Sequence, residues 1–218
     1  MVAQLEVDAF LSAVRTQSVA KGLYALGRFA FGSDCAVVTN GIGFRGAGEK
    51  VNLVNGAGDP FGGQFNVRND HALSGLGIEI IVADAPRSDA TWLCQVGGLL
   101  HRTGILLKML DTSFAHLSAR ESGGQKTMHH QLVKATFVES FSLAETIRLE
   151  AGHLIDTDTT IDLTAHHEAL NTAIIKASKL MGGHGFLMGQ VNSLEMFSLS
   201  MFSQLSQIES LPMRRDAA

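Results

Sequence analysis

A chain of 218 residues is long enough to bury a sizeable core, and with 45% hydrophobic against 17% charged residues it is apolar for a protein that stands alone in solution. Surplus apolar surface points to subunit contacts, so an oligomer is expected. A net charge of −4, with no basic run interleaved with aromatics, argues against a nucleic-acid partner, and the strongest apolar run is cut by His101 and Arg102 before the ~20 residues a membrane span needs.

Cys35 and Cys94 stand far apart without metal-ligand spacing, so neither a disulfide framework nor a metal site is expected. The opening "MVAQLEVDAF" has no basic region followed by an apolar run, and the expected location is the cytoplasm. Residues 1–31 read as a short helical segment, one or two helices with Leu5, Phe10, Leu11, Val14, Leu23, Leu26 and Phe29 as its apolar positions. Residues 32–88 read as a small β segment. Its strand candidates are "CAVVTN", "KVNLVN", "QFNVRN" and "GIEIIVAD", separated by Gly, Asn and Asp. Within it "TNGIGFRGAG" has the G-x-G-x-x-G spacing of a dinucleotide turn, but that fingerprint needs a helix next. Gly46, Gly48 and another strand candidate follow instead, so the stretch reads as a hairpin or loop.

No proline falls between Pro86 and Pro212, and residues 89–211 read as an antiparallel four-helix bundle, which makes the fold class mainly α. The first helix carries Trp92, Val96, Leu99, Thr103, Leu106, Leu110, Phe114 and Leu117 at spacings of three and four. The second runs from about Thr127 to Ala151 with Leu132, Val133, Phe137, Phe141, Ala144 and Ile147 inward. Asp162 caps the third, whose stripe is Leu170, Ala173, Ile174, Ala177 and Leu180. The fourth carries Val191, Leu194, Phe197, Met201, Leu205 and Ile208. Glu150 and His153 form one E-x-x-H, but a di-iron bundle needs a second such pair and two more inward glutamates.

Between the third and fourth helices stands "KLMGGHGF". Three glycines in four positions mark either a helix end or a place where something approaches the main chain closely. Taken with "HLSARESGGQKTMHHQLVKA" upstream, this stretch resembles the C-terminal helical domain of the acyl-CoA dehydrogenase superfamily, whose signatures are R-x-x-F-G leading to a glutamine, then G-G-x-G-[YF]. The similarity runs from about Asp89 to Ile208.

The resemblance implies an FAD-dependent oxidoreductase acting on an acyl thioester, carried on coenzyme A or a carrier protein. Arg120 and Gln131 match the first signature, and Gly182, Gly183, Gly185 and Phe186 the second, as the FAD-binding residues. A guanidinium fork and bare backbone N–H groups suit an anionic diphosphate. Departures accompany the likeness. Gly123 replaces the signature phenylalanine, and the two places where the family carries its glutamate base hold Ser206 and Cys94, leaving Glu209 as the nearest acid and the expected catalytic base. The front of the chain is also shorter than the family's. Two readings therefore stand: a flavin enzyme completed by a second copy or a related chain, and a degenerate, non-redox member acting as a structural subunit or flavin-independent catalyst.

Overall fold

The computed structural model describes residues 2–84, 90–187 and 189–205. Helices α1 (Val2–Thr16) and α2 (Val19–Phe31) meet at Ser18, whose hydroxyl accepts from the Lys21 N–H, and α2 ends on Gly32 in the left-handed conformation that a side chain disfavours. All four strand candidates form strands: β1 (Cys35–Thr39), β3 (Asn52–Asn55), β4 (Phe65–Arg68) and β5 (Ile78–Ala83). The dinucleotide-like stretch is a hairpin, as its glycines suggested. Asn40 and Gly41, at φ 51° and 73°, make the two-residue turn from β1 into β2 (Ile42–Gly46).

The sheet runs β3-β1-β2-β5-β4, parallel between β1 and β3 and antiparallel elsewhere. A single turn of helix, α3 (His71–Ser74), stands between β4 and β5, capped by Asp70.

Helix α4 (Trp92–Ser118), started by the Thr91 hydroxyl, packs against α1, α2, α5 (Gln131–Asp156), α6 (Thr164–Ser178) and α7 (Val191–Leu205). Its interior glycines explain how so many neighbours fit. A Cβ on Gly104 would lie 2.7 Å from the Val14 Cβ of α1, and one on Gly98 would overlap Leu205 of α7. The N-terminal helices thus share one continuous apolar core with the four C-terminal ones. Asp162 starts α6 by accepting from the Thr164 N–H at 2.9 Å.

The far end of α7 is bound to the sheet: Gln204 Nε2 donates to the Val37 carbonyl at 2.6 Å, and the Gln204 carbonyl accepts from Thr39 Oγ1 and Asn40 Nδ2. Three expected core positions are corrected. Leu132 is 84% exposed, and Phe141 and Phe114 are about half exposed, because the first half of α5 extends past the cover that α1 and α6 provide and the last turns of α4 go with it.

Candidate functional site

The last turn of α4 delivers Arg120 to an exposed end of the helical layer. A small hairpin follows, β6 (Glu121–Ser122) with β7 (Gln125–Lys126), and the Thr127 N–H closes it by donating to the Arg120 carbonyl at 2.9 Å. Gly123 and Gly124 are its turn, at φ 62° and 78°. That explains the missing phenylalanine. A two-residue turn with both central residues left-handed accepts glycine and strains an aromatic.

On the neighbouring element, α6 does not stop at the glycines but tightens into a 3₁₀ segment, Lys179–Phe186, broken at Gly182 (φ 53°, ψ −139°). The three glycines have different reasons. Gly182 adopts a conformation closed to other residues, and Gly185 lies against α7, where a Cβ would come within 2.7 Å of Asn192 Oδ1 and 2.8 Å of Val191. Gly183 has ordinary φ and open space where its Cβ would be, so nothing in this chain requires it to be glycine. It leaves a bare stretch of main chain facing outward.

The two pieces are joined through side chains. His184, inside the glycine turn, stacks on His116 of α4 with ring centroids 4.5 Å apart and planes at 15°, and Arg120 Nη1 donates to His116 Nε2 at 3.1 Å. Partial burial, with the cation of Arg120 and the neighbouring His184, holds His116 below the usual imidazole range and so keeps the accepting nitrogen free. Neither histidine was expected from the sequence. His116 stands four residues before Arg120, one turn back on the same face, and that spacing is the signal that could have shown it.

The other expected residues are placed less closely. Phe186 is 78% exposed at the end of the turn, and Gln131 opens α5 beyond the hairpin, exposed and without a side-chain hydrogen bond among the described residues. Glu209 and Ser206 lie outside the described residues. Cys94 is fully buried at the start of α4, and burial pushes its thiol up to about 12, so it cannot serve as a base. No group of three or more His, Cys, Asp or Glu among the described residues is placed to hold a metal ion.

A second polar constellation lies inside the helical layer. Arg102 is fully buried in α4, donating to Ser198 Oγ at 3.1 Å, to His167 Nδ1 at 2.8 Å and to Asn171 Oδ1, with its guanidinium 4.8 Å from the centre of the Phe202 ring. All of these partners are neutral. Burial and the adjacent Arg102 charge push His167 down to about 3, which preserves its role as acceptor.

No protein-family model and no curated protein matches this sequence. Solved structures do match in fold. An acyl-CoA dehydrogenase from Slackia heliotrinireducens is similar over 93% of this chain and 71% of its own, with a TM-score of 0.51 and 13% identity. A glutaryl-CoA dehydrogenase from Mycobacterium smegmatis, solved in complex with FADH2, is similar over 78% and 56% (TM-score 0.50, 14% identity). The electron transferring flavoprotein structure from Acidaminococcus fermentans is similar over 77% and 58% (TM-score 0.51, 11% identity). This chain therefore shares its fold with those solved acyl-CoA dehydrogenase structures, as the two motifs suggested. It spans under three fifths of the length of the last two.

Proposed function

We propose that this chain is an acyl-CoA dehydrogenase-like flavoprotein subunit that holds the diphosphate of FAD at the exposed end formed by α4 and the glycine turn. The observation that carries the reading is the juxtaposition of Arg120, tethered through His116 and His184, with a main chain left bare at Gly183 for no reason internal to the fold. An exposed guanidinium beside unhindered backbone fits an anionic diphosphate. In that role Arg120 pairs with the phosphates, His116 and His184 orient it, and Gly183 permits close approach. FAD, when bound, supplies a hydride acceptor for dehydrogenation of an acyl thioester. Glu209 is the proposed acceptor for the proton lost from the acyl chain.

Because the site opens outward, a second chain completes it. In this reading Arg120→Ala weakens FAD binding roughly tenfold to a hundredfold, the loss of one charge-assisted contact, read as flavin absorbance retained through desalting. Gly183→Val abolishes it. Wild-type protein that neither carries nor takes up FAD, alone or in its oligomer, overturns the reading. The burial of Cys94 favours a second possibility, a non-redox subunit of the same fold, because it removes one of the two family positions for the base.

A further inference from the structure

We infer that the stacked pair His116 and His184 takes up one proton when an anion binds beside Arg120, so that the proposed diphosphate site tightens as pH falls. The inference rests on the anion-binding reading of this end of the molecule and adds its regulation. Arg120 is a permanent cation on the exposed end of α4. Its Nη1 donates to His116 Nε2 at 3.1 Å, and since a guanidinium can only donate, the proton of the neutral His116 ring sits on Nδ1. His184 lies over that ring, with centroids 4.5 Å apart and planes at 15°. Three groups able to carry positive charge thus meet, and among the described residues no carboxylate is within ion-pair distance of any of them.

The surroundings leave that charge uncompensated. Arg120, from the same helix, and His184, from the glycine turn, are the charged groups that act on His116. The segment Lys179–Phe186 contains no acid, and Lys179 adds a further cation. On the hairpin the single acid, Glu121, stands opposite Lys126 across the two strands, while the histidines that follow bring no negative charge. Glu139 and Glu145 of α5 are engaged by Lys176 and Arg148, and Asp111 of α4 by Arg15. Without an anion, a proton on either ring faces Arg120 with nothing to offset it; with one, an anion oxygen accepts from the guanidinium and from a protonated ring together. A charged ring stacks well on a neutral one and poorly on a second charged one, so the pair titrates as a unit and gains a single proton. By reciprocity, an anion that raises the proton affinity of the pair is itself bound more tightly at low pH by the same factor.

Inorganic sulfate is the probe, because it keeps its double charge from pH 5.5 to pH 7.5 and any slope in that range belongs to the protein. Binding is followed by NMR at the His116 and His184 ring protons and at the Gly183 amide, signals that the buried His101 and His167 do not report. Sulfate should bind at least about fivefold more tightly at pH 5.5 than at pH 7.5, and saturating sulfate should raise the titration midpoint of the pair by about half a pH unit or more. In the double variant His116→Gln, His184→Gln, read at the Gly183 amide, the change in affinity over the same range should shrink below about twofold. Wild-type protein whose two rings do not respond to sulfate, or whose affinity for it changes less than about twofold, overturns the inference, as does a double variant that keeps the full slope. Flavin separates this result from the reading it rests on. FAD uptake that is independent of pH over this range overturns the proton coupling and leaves the flavin site standing, whereas a pH-dependent sulfate site in a protein that takes up no FAD supports the coupling and overturns the flavin reading.

Discussion

Gly182, Gly183 and Gly185 look alike in the sequence and differ in what holds them. Gly185 abuts Val191 and Asn192 of α7, so Gly185→Ala should destabilise the fold by about 1–3 kcal/mol through overpacking. At Gly182 alanine is strained by the backbone conformation itself. Gly183→Ala should leave thermal stability unchanged, since its Cβ meets nothing, and lower FAD affinity alone. Thermal denaturation of the three alanine variants beside a flavin titration checks the set. A Gly183→Ala protein that unfolds earlier while binding normally would place that glycine in the fold and not in the site.

At the scale of the element, α4 contains the tension of the structure. It carries His101 and Arg102 side by side, both fully buried, in a helix whose buried face is mostly leucine, isoleucine and glycine. Arg102 links α4 to α6 and α7 through Asn171, His167 and Ser198. Arg102→Ala leaves those acceptors without their donor and opens a cavity, and about 3 kcal/mol or more of stability should be lost in urea denaturation. His101 is different. It sits among Phe10 and Phe197, and among the described residues neither ring nitrogen has a hydrogen-bond partner of good geometry, the nearest being the Gly22 backbone, so His101→Leu should be neutral or stabilising by about 1 kcal/mol. A large loss there would show that the imidazole has a polar role.

The two buried histidines set the acid behaviour of the whole molecule. Burial holds His101 down to about 4, and burial with the Arg102 charge holds His167 down to about 3, both far below an unfolded histidine near 6.5. The folded state therefore binds fewer protons than the unfolded one. The stability these groups contribute is fully present above about pH 6.5 and is lost as pH falls through that value toward 4 and 3. Thermal midpoints should fall steadily from pH 7 to pH 4, and His101→Leu should flatten part of that slope. A midpoint independent of pH over this range would show that neither histidine is neutral by burial.

The sequence by itself determined the long helices, the four strand candidates and the two motifs, though not α3 or the β6–β7 hairpin. The hydrophobic period located the four long helices, the turn residues separated the strands, and Arg120 and the glycine cluster carried the likeness to the acyl-CoA dehydrogenase fold, because these signals are local and each residue's neighbours in the chain decide them. The tertiary structure decided which apolar residues are core. Phe114, Phe141 and Leu132 obey the helical period as well as any buried leucine, and only the reach of α1 and α6 along α5 leaves them uncovered. It also decided that His184 meets His116. The rings belong to segments far apart in the chain, and their contact depends on how α6 packs on α4, which no spacing along the sequence encodes.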